Sequence, residues 1–448
     1  MAKILPFRGV RYNTEKLSEL SKILTQPYDK IGEKLQEDYY NRSPYNYTRI
    51  IKGKEETGDN DTNNKYTRAA EYMKKWIDEG ILIRDSEPAI YAYSQEIDFP
   101  GYDKRTRWAF ITVGQIEDYS EGGVKPHEKT LDKPKVDRFS LTKAVMAQTG
   151  LIFMLFSDPE CTVDKILESY SNKKPLFEIK DDFDIINRLW KITDHSHIDS
   201  IKRVLEPKDL FIADGHHRYE TAINIRNEMR KAGRKFEGAD SPENCLMSFV
   251  NMDGAGLIVL PTHRLVRNLE GFNLEAHLKN AEKYFKIDKF NFSSEKEKED
   301  QILNINKQME ILGEKEHIFC LYPHDKKCFY LLTLKDLKFM DELLGDEYSK
   351  TWKSLDVSIL HSIILDALLG INKEKLAKES NVSYVRNIDE GIRKIDNENY
   401  QLLYILNPTK IEQVKDIANA KETLPQKSTD FYPKMLSGMV LNKFIEKK

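Results

Sequence analysis

The residues best suited to chemistry form one short run, Asp214-Gly215-His216-His217-Arg218. It follows the apolar Phe211-Ile212-Ala213 and precedes Tyr219, where a helical pattern begins. The run therefore reads as a strand handing over to a helix with polar groups packed at the junction. A helix start offers N–H groups and partial positive charge, which suits an anion, phosphate above all. His216, His217 and Arg218 add donors to that seat, and Asp214 is a hard oxygen ligand suited to Mg²⁺. The competing structural reading is a turn capped by histidines, but so many polar groups at a buried junction are costly unless each has a partner.

Two further boxes carry histidines. One is Lys125-Pro126-His127-Glu128-Lys129-Thr130, followed by Lys133, Lys135, Asp137 and Arg138; the other is Thr262-His263-Arg264. Phosphoryl transfer needs cations and N–H groups around the moving phosphate, an acid for magnesium, and a carboxylate to take the hydroxyl proton. Glu128, set among basic residues, suits the general base. Thr130, Lys133 and Arg138 can add phosphate contacts, with His263 and Arg264 as further phosphate ligands. A solvated loop at His127-Glu128 and a satisfied strand-end turn at Thr262-His263-Arg264 are the plainer alternatives. Lys427 to Lys434 reads as a second cationic wall or as an ordinary basic loop.

Zinc is the rival reading of the histidines. Adjacent His216 and His217 diverge by about 100° on a helix, and no cysteine lies near them, which suits zinc poorly. The chain holds no Gly-x-x-x-x-Gly-Lys-Ser/Thr loop, no Gly-x-Gly-x-x-Gly after a strand, no Gly-x-Ser-x-Gly elbow and no His-Glu-x-x-His.

Elements must place these groups. Apolar spacing predicts a helix over 66–79, with Ala69, Ala70, Met73 and Trp76 inward and Gly80 as its stop. Strands are expected at 89–97, with Ala89, Tyr91, Tyr93 and Gln95 on one face, and at 108–115, 151–156 and 210–213. Residues 122–137 read as a loop, 141–148 as a short helix and 219–232 as a helix ended by Gly233. Segments 245–252 and 257–260 look like a strand pair. Farther on, 290–316 reads as a solvated helix, 318–322 and 329–334 as a hairpin, 355–369 as a helix and 402–406 as a buried strand. Strands and helices mix without long βαβ regularity, so the class is α+β rather than doubly wound. A chain of 448 residues is too long for one ordinary core, and three segments are expected: 1–97, 98–266 and 267–448.

Lysine plus arginine (70) nearly balances aspartate plus glutamate (73), a net charge of −3, which gives no whole-chain argument for nucleic acid. No apolar run approaches the roughly 20 residues of a membrane helix, and the first residues lack the apolar core of a signal peptide. The four cysteines are expected as reduced, mostly buried thiols, and the location as cytoplasmic.

Ala213-Asp214-Gly215-His216-His217-Arg218-Tyr219-Glu220-Thr221-Ala222 resembles the signature box of the family catalogued as domain of unknown function 1015. The likeness extends through Pro27-Tyr28-Asp29, Ser43-Pro44-Tyr45-Asn46, His127-Glu128-Lys129-Thr130, Asp137-Arg138, Asn251-Met252-Asp253, Pro261-Thr262-His263-Arg264 and Lys427-Ser428-Thr429. The Asp-Gly-His-His-Arg core is also similar to that of free serine kinases on the ParB/sulfiredoxin-like fold. In those enzymes the box binds donor phosphates and a separate glutamate activates the serine hydroxyl. The resemblance implies a ParB/sulfiredoxin-like mixed core at 98–266 with flanking N- and C-terminal α/β segments. It further implies a magnesium-dependent kinase making O-phosphoserine from free L-serine, with ATP, ADP or pyrophosphate as donor. Glu128 would be the base, Asp214 the catalytic and metal-holding acid, and His216, His217 and Arg218 the phosphate grip. A ParB-like nucleotide- or DNA-binding regulator and a metal-dependent phosphohydrolase are the alternatives; balanced charge and the lack of a basic, aromatic-rich stripe weigh against DNA.

Overall fold

The computed structural model describes residues 2–98, 103–128, 132–378 and 380–447, with backbone alone at 132, 133 and 377. It divides into two compact units: Met1–Ile258 with Pro433–Lys448, and Val259–Tyr432. Both mix helices with sheet.

Among the described residues the first unit is built on a nine-stranded sheet: β1 Ile4–Leu5, β2 Ile90–Ile97, β3 Arg105–Gln115, β4 Val124–Lys125, β5 Ile152–Phe156, β6 Phe177–Lys180, β7 Ile186–Ile192, β8 Leu210–Asp214 and β9 Asn244–Asn251. They run in the order β4-β8-β5-β9-β3-β2-β7-β6, with β1 also on β3. The β4–β8 and β5–β9 pairs are parallel and the other pairs antiparallel. Every residue of β5 and β9 is buried, as expected of strands covered on both faces. β2 is buried on both faces too, where alternation predicts one. Its polar positions are absorbed inside: Gln95 Nε2 donates to Asn187 Oδ1 at 3.2 Å. The expected break near residue 97 falls between β2 and β3, which pair directly.

Helices α1 Lys65–Asp78, α2 Asp132–Val145, α3 Thr162–Glu168, α4 His195–Leu205 and α5 His216–Lys231 belong to this unit. Asn64 and Thr67 form a capping box at the start of α1, which buries Ala69, Met73 and Trp76, one face of a helix. Asp194 caps α4, which sets Ile198, Ile201 and Leu205 inward. They join a core in which Phe110 stacks on Phe249 at 4.9 Å between centroids.

Three expectations give way here. Part of the 122–137 loop is helix, because α2 starts at Asp132. Pro134 sits in the first turn, where its missing N–H breaks no helical bond. The helix read at 141–148 is the tail of α2, and Ala147 and Gln148 pair instead with Lys443 and Asn442. The strand pair expected at 245–252 and 257–260 does not form, since β9 lies between β5 and β3.

The segment from Pro433 onward is woven into this unit. Val10 N–H donates to the Leu441 carbonyl at 3.0 Å and Thr25 N–H to that of Ser437 at 3.2 Å. Arg107 donates to the Pro433 carbonyl.

The second unit carries a six-stranded antiparallel sheet: β10 His263–Val266, β11 Phe285–Asn291, β12 Ile318–Pro323, β13 Cys328–Leu334, β14 Val382–Val385 and β15 Leu402–Leu406, in the order β11-β13-β12-β15-β10-β14. β12 and β13 form the expected hairpin. The charged stretch at 290–316 begins as the end of β11. Its helix, α6 Glu295–Leu312, is not wholly solvated: Ile302, Ile305 and Met309 are buried. α7 Asp356–Ile359 continues as a π-helical stretch, Leu360–Leu368. All four cysteines are free thiols, three of them buried. Among the described residues no helix is long and apolar enough to cross a membrane.

Candidate active site

The site grows from the passage of β8 into α5. Pairing of β8 with β5 shifts register between Ile212 and Asp214, a bulge of the kind that re-aims a side chain. Gly215 follows with φ of 100° and ψ of 28° and stands as N-cap of α5 without a side-chain cap. A Cβ at Gly215 would lie 2.9 Å from Arg218 Nε and 3.0 Å from its Cζ. Glycine thus lets the chain turn sharply and lets the guanidinium fold back over the turn. The first N–H groups of a helix have no intrahelical acceptor, and only Gly215 separates this helix from the end of β8.

Asp214 is the electrostatic centre. One oxygen accepts from Arg218 and the other lies 3.2 Å from Lys434 Nζ. Burial would raise its pKa, but the charges of Lys434, Arg218 and Lys30 outweigh that and hold the carboxyl well below the usual range. Arg218 also donates to the Leu151 carbonyl, which fixes the guanidinium plane. Burial raises the Tyr28 phenol, with Arg218 and Arg138 pulling the other way. Arg138 lies 4.0 Å over the Tyr28 ring, donates from Nε to Asp137 Oδ2 at 2.9 Å and reaches the Ile51 carbonyl at 2.9 Å. Tyr28, Arg138 and Arg218 border a pocket of roughly 590 Å³, part of it open to solvent, whose wall also includes Thr142, Thr149 and Ile225.

His127 and His216 make the other side. Their rings meet edge to face at 4.7 Å. The backbone N–H of His127 donates to His216 Nε2 at 3.2 Å, so the proton of a neutral His216 sits on Nδ1. That Nδ1 points toward Glu128, 4.0 Å from its Oε2. Burial pushes His127 down to about 4 and His216 well below its usual value. Both imidazoles are therefore neutral near pH 7, and the contact with Glu128 is dipolar rather than an ion pair.

The structure thus gathers Glu128, Asp214, His216 and Arg218, with His217 on the first turn of α5. Arg138 stands across Tyr28, bound to Asp137. Thr130 and the Lys133 side chain lie outside the described residues. His263 and Arg264 belong to the second unit: His263 Nδ1 receives the Leu406 N–H at 3.4 Å, and Arg264 is packed among backbone carbonyls. Lys30 and Tyr28 are additions; the sequence marked Tyr28 through the Pro27-Tyr28-Asp29 part of the resemblance and did not mark Lys30. Lys434 lay at the end of the stretch read as a cationic wall or a loop, and it is Asp214's direct partner.

The donor set fits a magnesium ion on Asp214 poorly. Mg²⁺ takes one or two carboxylates with phosphate oxygens and water, whereas both Asp214 oxygens here hold cations. Among the described residues no group of three His, Cys, Asp or Glu side chains is placed to hold a metal.

The fold and this junction define an α+β protein with a cation-ringed carboxylate at a strand-to-helix turn. The chain belongs to the family described as protein of unknown function (DUF1015), whose model matches residues 4–358. No curated protein matches it. Solved structures that match include a conserved hypothetical protein from Pyrococcus furiosus, at 12% identity and a TM-score of 0.33, over 73% of this chain and 92% of that one. A free serine kinase in complex with AMP matches at 10% identity and 0.33, over 69% and 84%. SbnI with a C-terminal truncation, from Staphylococcus aureus, matches at 8% identity and 0.32, over 73% and 85%.

Proposed function

We propose that this protein is a kinase that moves a phosphoryl group from ATP, ADP or pyrophosphate to the hydroxyl of free L-serine, giving O-phosphoserine. The observation that carries this reading is the junction at Gly215. An uncapped helix start and Arg218 converge there, and Glu128 stands beside the neutral His216. Phosphoryl transfer asks a protein mainly for positioning and charge stabilisation, which is what these groups offer. The resemblance of the box to that of free serine kinases supports serine as acceptor, and with it a ParB/sulfiredoxin-like core.

In this reading the start of α5, His216, His217 and Arg218 hold the donor phosphates. Asp214 fixes Arg218 and Lys434 so that neither must reorganise as charge moves. Glu128 takes the hydroxyl proton, and His216, with its proton on Nδ1, can donate to that carboxylate or to a phosphate oxygen. Magnesium would come with the donor and shield its phosphate charge; seating it on Asp214 would require a cation to leave. The pocket beside Arg138 and Tyr28 would take the organic part of a substrate.

The test is to incubate the protein with L-serine, Mg²⁺ and each donor in turn and to look for O-phosphoserine by ³¹P NMR and mass spectrometry. Product with at least one donor is expected. Its absence with all three removes the serine kinase reading.

A further inference from the structure

The second unit holds a buried cation without a counter-charge. Arg264, in β10, is 1% exposed. Its guanidinium donates to the Thr262 carbonyl, to the Lys427 carbonyl at 3.0 Å, and faces His361 Nε2 at 3.2 Å. The Tyr384 ring lies beneath it, 5.2 Å from Cζ. Its Nε is buried and has no acceptor. Every partner is neutral, and among the described residues no carboxylate pairs with it. Arg138 and Arg226, about as deeply buried, each hold one, Asp137 and Asp118. Burial, with no acid to offset it, pushes Arg264 down to about 10.

An uncompensated buried charge is among the costlier features a fold can carry. Arranging the guanidinium for a second task accounts for it. His361 is neutral, lowered by burial and by Arg264, so it fills the acceptor position without cancelling the charge. It is also partly exposed, so its ring borders the surface beside the guanidinium. Lys427, exposed and held with φ of 57°, brings a second cation to the same turn. Ser358 lies one helical turn before His361, hence on the same face, and its buried hydroxyl has no partner.

We infer that Arg264, His361 and the Lys427 turn form a receptor for a small phosphate-class oxyanion, either free phosphate or the phosphate end of a larger molecule. The anion would take the place of the Lys427 carbonyl at Nη2, beside His361, and supply the charge that the unit's own side chains do not. This assignment does not rest on the kinase reading.

The experiment measures binding to the full chain by calorimetry, with inorganic phosphate and with AMP as separate probes. Equal affinities would assign free phosphate; tighter AMP would assign a phosphate end. Arg264→Gln keeps donors for the two carbonyls but removes the charge, and His361→Ala opens the rim while leaving Arg264 in place. Each should weaken binding on the order of tenfold or more, the scale of one hydrogen bond to a charged group. Should Arg264→Gln fail to fold, His361→Ala carries the test alone. Unchanged stoichiometry and affinity in the folded variants overturns the assignment, whatever His216→Ala does to binding in the first unit.

Discussion

Replacing Gly215 by alanine should damage stability and phosphate binding together. The backbone there has φ of 100°, which costs an L side chain about 1–2 kcal/mol. The new Cβ would also come within 2.9–3.1 Å of Nε, Cζ and Nη2 of Arg218, so the guanidinium must shift. That shift strains the Arg218 contact with Asp214, whose other partner is Lys434. Breaking one side of a buried charged cluster costs about 3–5 kcal/mol when complete, and less when Lys434 compensates. The expected loss is about 2–5 kcal/mol, read as a lower urea midpoint at unchanged slope. Pyrophosphate affinity measured by calorimetry should fall on the order of tenfold or more, because a charged hydrogen-bond donor leaves the site. Gly215→Asn separates the causes: asparagine tolerates left-handed backbone but still carries a Cβ, so it should recover part of the stability and none of the binding. An alanine variant within about 0.5 kcal/mol of wild type, with unaltered affinity, would refute the argument that glycine is there to admit Arg218.

Glu128→Gln should cut turnover by about 10²–10⁴-fold, the range for a positioned base, with donor affinity nearly intact; weakened donor binding at normal turnover would take the base role from Glu128. Stability should fall as pH drops from about 6.5 to 4, because His127, lowered to about 4, and His263, to about 3, stay neutral when folded and take up protons on unfolding. Urea midpoints at pH 7, 6 and 5 read this, and His127→Gln should flatten the decline; an equally steep decline would count against it. Trp76, 1% exposed and packed on Tyr12, Tyr45 and Tyr72, should cost about 3–5 kcal/mol as alanine. Asn64→Ala, which removes the α1 cap, should cost about 1 kcal/mol; a loss for Asn64 as large as that for Trp76 would mean that the cap is not its main role.

Much of the local structure was legible because period and punctuation agree. The apolar spacing in α1, the hairpin β12–β13 and the passage from β8 to α5 all announce themselves. Pairing between strands far apart in the chain did not. The sequence around β9 reads the same whether it pairs with a neighbour in the chain or with β5 and β3, since a strand buried on both faces carries no alternation to orient it. Polar stretches misled in the opposite sense. Asp132 to Asp137 reads as loop by composition, yet a first helical turn tolerates proline and charge. At the site, the box itself was visible, while Tyr28, Lys30 and Lys434 come from distant segments and meet it only by folding. Nor could the sequence show that Asp214 would be held by two cations. A lysine 220 residues away leaves no mark in the local pattern.

That distance bears on synthesis. The first unit is interrupted after Ile258 and resumes only at Pro433. On the ribosome, β1 to β9 emerge well before Lys434. At about 5–20 residues per second, Asp214 and Arg218 wait roughly ten to forty-five seconds for their second cation. During that interval the seams at Val10, Thr25 and Gln148 lack the strand segments that close them. The emerging unit therefore has all nine strands of its main sheet but leaves these seams unpaired, and unpaired strand segments are what holdase chaperones recognise and what pairs wrongly when crowded. The junction gains its full charge only after the whole of the second unit has been made, so the order of translation delays the site until both units exist.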